Sequence, residues 1–319
     1  MDAMTDGRLA GRRVLVTGAT GFLGSHALGA FHREGAVVHA VRTRADRQPR
    51  VPVPPVTWHE ANLADGPPAQ AMAAAAPHVV VHLAAYGASS AERDPERIFR
   101  VNVQGLWHLL QVIPAGARLV MAGTCAEYGH VRGAAHESMA CHPASSYPAA
   151  KHAAVTLATA HARETGRPVV VLRPYGPFGP GDDPHRVLPA AIAGLIRGDE
   201  VALGDGGQIR DFSYVDDHVE AFVCAAVAEG LAPGAIFNIG TGNGVTVRDA
   251  LERAAAIVGG PGRLAFGRKP ARPDDLRELV PDVSAARQQL GFEARVPFDE
   301  GIRRTAASIR RALAGEGAS

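Results

Sequence analysis

Cysteine and lysine are both scarce in this chain. Of 319 residues only Cys125, Cys141 and Cys224 are cysteine, an odd number without zinc-type spacing. A disulfide framework is thereby disfavoured, and a reducing cytoplasm is the compartment expected. No run of 18 apolar residues occurs, which argues against a membrane-spanning helix. The opening residues, MDAMTDGRLAGRRVLVTG, lack the apolar core and cleavage site of a secretory signal. Charge of one sign is not in excess either. Lysine plus arginine number 33 against 32 acidic residues, so no nucleic-acid or membrane partner is expected. Repeats and low-complexity linkers are missing. Lysine appears twice, at Lys151 and Lys269, against 31 arginines.

What is present is a βα alternation. Apolar runs bounded by turn residues read as buried strands at 13–17, 37–42, 78–83, 118–122 and 168–172. Helical stretches lie at 22–34, 95–113 and 147–165. This order implies a parallel sheet with helices on both faces. After Arg173 the pattern loosens. Gly/Pro-rich stretches at 175–181 and 204–207 alternate with helices near 184–197, 216–229, 246–258 and 298–313.

The first strand ends in Thr17-Gly18-Ala19-Thr20-Gly21-Phe22-Leu23-Gly24, a G-x-x-G-x-x-G spacing. A dinucleotide site needs a tight strand-to-helix turn, close approach of backbone to pyrophosphate, and close helix–strand packing. Gly18, Gly21 and Gly24 supply these in turn, and the helix N-terminus favours the negative charge. An ordinary βα turn is the competing reading. Position after the first strand and before a clean helix favours the cofactor. No Gly-Lys pair exists, so a Walker-type loop is excluded. The fold class expected is therefore α/β: a Rossmann-type doubly wound parallel sheet with a smaller, irregular C-terminal lobe for substrate. The division expected is 1–175 and 176–319, with 212–242 returning to the sheet.

NAD sites usually place an acid at the end of the second strand. Here that strand ends Ala40-Val41-Arg42-Thr43-Arg44, with no acid before Asp46. Arg42 and Arg44 suit a 2′-phosphate, so NADP is expected ahead of NAD. Two solvated arginines are the plainer alternative.

Tyr147-Pro148-Ala149-Ala150-Lys151 sets a phenol and an ammonium four residues apart, on one helix face. Pro148 requires the helix to start there, and Ser145 and Ser146 suit its cap. A free phenol has a pKa near 10. A nearby cation, Lys151 or an oxidised nicotinamide, lowers it and lets Tyr147 exchange a proton with an alcohol or ketone. Such pairs also occur by chance as exposed helical neighbours. Here one of two lysines is spent, after the fifth strand of a dinucleotide fold. Thr124 follows strand 118–122 at the edge where open α/β sheets bind ligands, placed to bond the substrate oxygen.

Together these residues resemble the extended short-chain dehydrogenase/reductases, a group of sugar-nucleotide epimerases, dehydratases and ketoreductases. The likeness runs on through Val81-His82-Leu83-Ala84-Ala85, Asn102-Val103-Gln104-Gly105, Tyr128-Gly129, Arg173 and Gly179-Pro180-Gly181. It continues in Arg210-Asp211-Phe212, Tyr214-Val215-Asp216-Asp217, Phe237-Asn238-Ile239-Gly240, Arg272-Pro273-Asp274 and Asp282-Val283-Ser284. The resemblance implies that Thr124, Tyr147 and Lys151 are catalytic. Gly18, Thr20, Gly21, Phe22, Leu23, Gly24, Arg42, Asn62, Leu63, Leu83, Ala84 and Ala85 would meet the cofactor, with Tyr147 and Lys151. Thr124, Cys125, Gly176, Arg210 and Arg272 would meet a nucleoside-diphosphate sugar, the arginines through forked donors. The helices 95–113 and 147–165 resemble a family pair that forms a dimeric four-helix bundle, so a homodimer is implied.

Three departures matter. 4,6-Dehydratases place Asp-Glu after the catalytic threonine, and here those positions are Cys125 and Ala126. Many members carry asparagine at the place of Gly176. The usual aspartate near adenine is Asn62. A sugar-nucleotide 4-ketoreductase is the reading that follows. A 4-epimerase is the alternative, and a non-catalytic dinucleotide-binding regulator is disfavoured by the intact Tyr147 and Lys151. Cys125 or Glu127 is a candidate second acid/base. His136, Cys141 and His142 gather in one loop, without the fourth ligand a metal site needs, so no metal is expected.

Overall fold

The computed structural model describes residues 7–89, 91–270 and 275–316. Its centre is a seven-stranded parallel sheet. Strands β1 (Arg13–Thr17), β2 (Val37–Arg42), β3 (Thr57–Glu60), β4 (Val79–His82), β5 (Arg118–Ala122) and β6 (Val169–Pro174) lie in the order β3-β2-β1-β4-β5-β6. The order reverses between β1 and β4, and ligands bind outside the carboxyl ends of strands at such a point.

The strands are apolar on both faces because both faces are covered. Val14, Val16, Ala40, Val79 and Val81 point into a core with Leu28 and Phe31 of α1 (Phe22–Arg33). Leu15, Val41, Val80 and Met121 point the other way. There they meet α2 (Ala69–Ala75), α4 (Gly105–Leu110) and α5 (Ser146–Thr165), while α3 (Pro95–Phe99) packs against α5. The helix expected at 95–113 is interrupted: Arg100–Gln104 forms a π-turn, and the helix ends at Leu110. Asn102 in that turn is buried and donates to the Tyr86 and Ile98 carbonyls at 2.7 and 2.8 Å. It pins the loop that leaves β4.

The second half contributes one further strand to the sheet. After β7 (Pro177–Phe178), α6 (Val187–Arg197), β8 (Glu200–Ala202), β9 (Ile209–Arg210), β10 (Ser213–Tyr214) and α7 (Val215–Val227), β11 (Ala235–Ile239) pairs parallel with β6. β10 pairs with β7 instead, outside the main sheet. Then follow β12 (Val245–Thr246), α8 (Val247–Val258), β13 (Arg263–Ala265), β14 (Glu278–Leu279) and α9 (Phe298–Glu316). α6, α8 and α9 share a separate core around Leu188, Ile192, Leu251 and Ile302. No described helix is long and apolar enough to cross a membrane.

Candidate active site

The glycine turn is shaped by close contact. Gly18 has φ +67, where L side chains are strained. A Cβ there would collide with the Leu83–Ala84 backbone, and one on Gly24 with Gly18 itself. The turns after β1 and β4 are therefore pressed together: Leu83 and Ala84 border Gly18, and Ala85 follows them in the same turn. Gly21 differs: its nearest obstacle is the Gly18 carbonyl at 3.2 Å. It caps α1 without any side-chain hydrogen bond, so the first-turn amides face an approaching pyrophosphate. Thr20, Phe22 and Leu23 line this half-buried turn.

The donor set fits a nicotinamide dinucleotide in a second way. Lys151 is 3% exposed, and its ammonium makes no hydrogen bond to any described residue. An ammonium on a buried stem with no protein acceptor keeps its three donors for ribose hydroxyls. Burial draws Lys151 down to about 8, and the Glu127 charge opposes this.

Thr124 starts a 3₁₀ turn at Cys125–Tyr128. Its Oγ1 accepts from the Ala126 amide at 3.3 Å, so the hydroxyl proton is not spent on that bond. α5 packs over this turn and carries Tyr147 and Lys151. Ser145 caps α5 by backbone position, without the side-chain bond the sequence suggested. Burial lifts the Tyr147 phenol above its ordinary value, with Cys125, Glu127 and Glu92 acting the same way and Arg186 opposing. The expected lowering of that pKa by Lys151 does not occur: desolvation dominates, and the cation that opposes it is Arg186.

Between this centre and the second lobe lies a cleft of about 450 Å³. Cys125, Gly176 and Arg210 line it and Thr124 does not; Arg186, Phe266 and Lys269, which the sequence reading did not single out as ligand-facing, line it too. Lysine scarcity was the one available signal, since Lys269 is the second lysine. Arg210 pairs with Asp275 at 2.8 Å. Gly176 has φ +43, and a Cβ there would strike the Asp211 carbonyl. Arg272 lies outside the described residues. Burial pushes the Cys125 thiol up to about 11, so it is uncharged at neutral pH.

Other positions are placed differently from their expected use. Leu63 is a core side chain whose carbonyl accepts from His108 at 2.7 Å, leaving its amide as the group free for a ligand. Asn62 is exposed and donates to Asp65 at 2.6 Å. Arg42 stacks over Trp58 and pairs with Glu60 at 3.5 Å, while its Nε is buried without a partner. Arg44 is exposed and bonded to Asp46. Glu127 is not a second acid/base. Its side chain is 0% exposed. Both oxygens are occupied, by the Thr124 amide at 2.7 Å and by Arg173 at 2.8 and 3.1 Å. The loop set His136, Cys141 and His142 does not converge. Among the described residues the one group within 4.8 Å is Glu127, Cys141 and His152, and Arg173 already donates to Glu127 and Cys141.

Fold and site together define a dinucleotide-dependent oxidoreductase. The family model for the NAD dependent epimerase/dehydratase family matches residues 14–240. UDP-glucose 4-epimerase of Mycolicibacterium smegmatis is 31% identical over 314 residues, covering 93% of this chain and 98% of that one. dTDP-4-dehydro-6-deoxy-D-allose reductase of Streptomyces bikiniensis is 30% identical over 330 residues, covering 96% and 99%. The solved structure of MoeE5 in complex with UDP-glucuronic acid and NAD is 32% identical with a TM-score of 0.82, covering 94% of this chain and 99% of that one. The chain belongs to the NAD dependent epimerase/dehydratase family, within the extended short-chain dehydrogenase/reductases.

Proposed function

We propose that the protein is a ketoreductase that reduces the 4-keto group of a nucleoside-diphosphate 4-keto-6-deoxy sugar. One observation carries this reading: the two positions after Thr124 hold an uncharged thiol, Cys125, and Ala126, while Tyr147 and the buried Lys151 are intact. Water elimination needs a carboxylate pair that this site lacks; carbonyl reduction needs a proton donor that it has. When bound, the nicotinamide supplies the hydride. Thr124 donates a hydrogen bond to the carbonyl oxygen, and Tyr147, held in its proton-bearing form by burial, gives the proton. Lys151 bonds the ribose and stands behind the phenol. Arg210, on the cleft wall, meets the diphosphate.

NADP is the cofactor proposed, on the unpartnered buried Nε of Arg42 at the end of β2. A homodimer is proposed through the helical stretch 95–110, where Phe99 and Trp107 stand 56% and 46% exposed. Three free thiols suit a reducing, cytoplasmic setting.

A 4-epimerase is the second reading, favoured by the likeness to UDP-glucose 4-epimerase. Purified protein mixed with NADPH and such a ketosugar should consume one NADPH per sugar, and should prefer NADPH to NADH. Turnover without net cofactor loss would transfer the case to the epimerase. Tyr147→Phe should slow reduction by about 10²–10⁴-fold with cofactor binding intact; a wild-type rate would remove the phenol from the mechanism.

A further inference from the structure

Under the cleft floor lies a charge that the reaction scheme above does not use. Glu127 closes a reciprocal cap with Thr124: the threonine oxygen accepts from the turn, and the Glu127 carboxylate accepts from the Thr124 amide at 2.7 Å. Gly123 leaves room for this, since a Cβ there would come within 2.5 Å of Glu127 Oε1. The other oxygen is gripped by the Arg173 fork from β6. His152, the residue after Lys151 on α5, sets its Nδ1 3.5 Å from the same oxygen. The carboxylate thus ties the 3₁₀ turn, the last main-sheet strand of the first half and the Tyr147/Lys151 helix to one point.

We propose that Glu127 is the positioning residue of this centre: it fixes Thr124 through its amide and sets a buried negative charge against the helix that carries Tyr147 and Lys151. The proposal rests on the assignment of Thr124, Tyr147 and Lys151 as the reacting groups. The charges that reach Lys151 are those of His82 of β4 and Glu127 of the turn, while Arg173 of β6, His152 of α5 and Cys141 of the preceding loop lie against Glu127. His82 is fully buried, bonded to Thr17 at 2.8 Å, and driven down to about 3, so it is neutral. Burial raises the Tyr147 phenol and the Cys141 thiol, so both are neutral as well. Glu127 remains as the one anion of the group, and it is the group that raises Lys151 against desolvation. The same anion favours the neutral phenol. It therefore helps hold both partners in the proton-bearing state that reduction requires.

The test exploits the rarity of lysine. With Lys151 and Lys269 as the sole lysines, protein labelled with ¹³C at lysine Cε gives two resonances, assigned with Lys269→Arg. Titrated without substrate, Lys151 should have a pKa near 8 in the wild type. In Glu127→Gln it should fall by about 1–2 units. The glutamine keeps an acceptor for the Thr124 amide, so kcat should drop about tenfold or more at alkaline pH while substrate KM and cofactor Kd hold. If loss of the charge unfolds the single variant by stranding Arg173, Glu127→Gln/Arg173→Gln removes both charges and is compared with Arg173→Gln, against which Lys151 should fall in the same direction. A Lys151 titration unchanged from its reference in either folded variant overturns the proposal. That readout needs no sugar substrate, so it stands or falls apart from the ketoreductase assignment.

Discussion

Two arginine–carboxylate pairs flank the cleft, both with 2.8 Å between the charged atoms. Arg173–Glu127 lies under the floor with side chains 2% and 0% exposed; Arg210–Asp275 lies on the wall at 17% and 27%. Equal distance conceals unequal roles. A buried pair cannot exchange partners, because either charge alone would be stranded in a poor solvent for ions. A pair open to water can give up its carboxylate for a phosphate at little cost, and a fork that fits one oxyanion fits the other. Burial, not geometry, separates the arginine locked in the core from the arginine proposed to hold a ligand.

This contrast can be broken by substitution. The largest effect expected is on the floor: Arg173→Gln should lower folding stability by about 3–5 kcal/mol, read by denaturant or thermal unfolding. A loss below 1 kcal/mol would put the two pairs in one class. Next comes the wall. Arg210→Ala should weaken nucleoside-diphosphate binding about 10–100-fold, the scale of hydrogen bonds to charged groups. Calorimetry would show it, with the unfolding midpoint nearly unmoved. The smallest effect should come from Asp275→Asn, which removes the competitor for Arg210. Diphosphate affinity should rise by about twofold to fivefold at low salt and converge on wild type at high salt; weaker binding would mean that Asp275 contacts the ligand itself.

Legibility in the sequence followed burial. Strands covered on both faces read as apolar runs, and five of the seven were visible. β3, Thr-Trp-His-Glu at the sheet edge, has no such run, and α2 is seven residues of mostly alanine. The π-turn at Arg100–Gln104 left no sign except Asn102, whose inward turn only the structure reveals. Strands of two and three residues in the second lobe are too short to express any period. In the site, groups set by local spacing were legible: the three glycines, and Tyr147 with Lys151. Groups brought together from distant segments were not. Glu127 and Arg173 meet across 46 residues, and the cleft gathers Arg186, Phe266 and Lys269 from two separate stretches.

Gly176 carries an evolutionary consequence. Its backbone bend leaves the neighbouring main chain no space for even a methyl group, so no side chain can be gained at this place in one mutational step. Two stretches of chain would have to part first. Single-site libraries aimed at changing which sugar is accepted should find this corner barren, and their productive hits should come from the opposite wall.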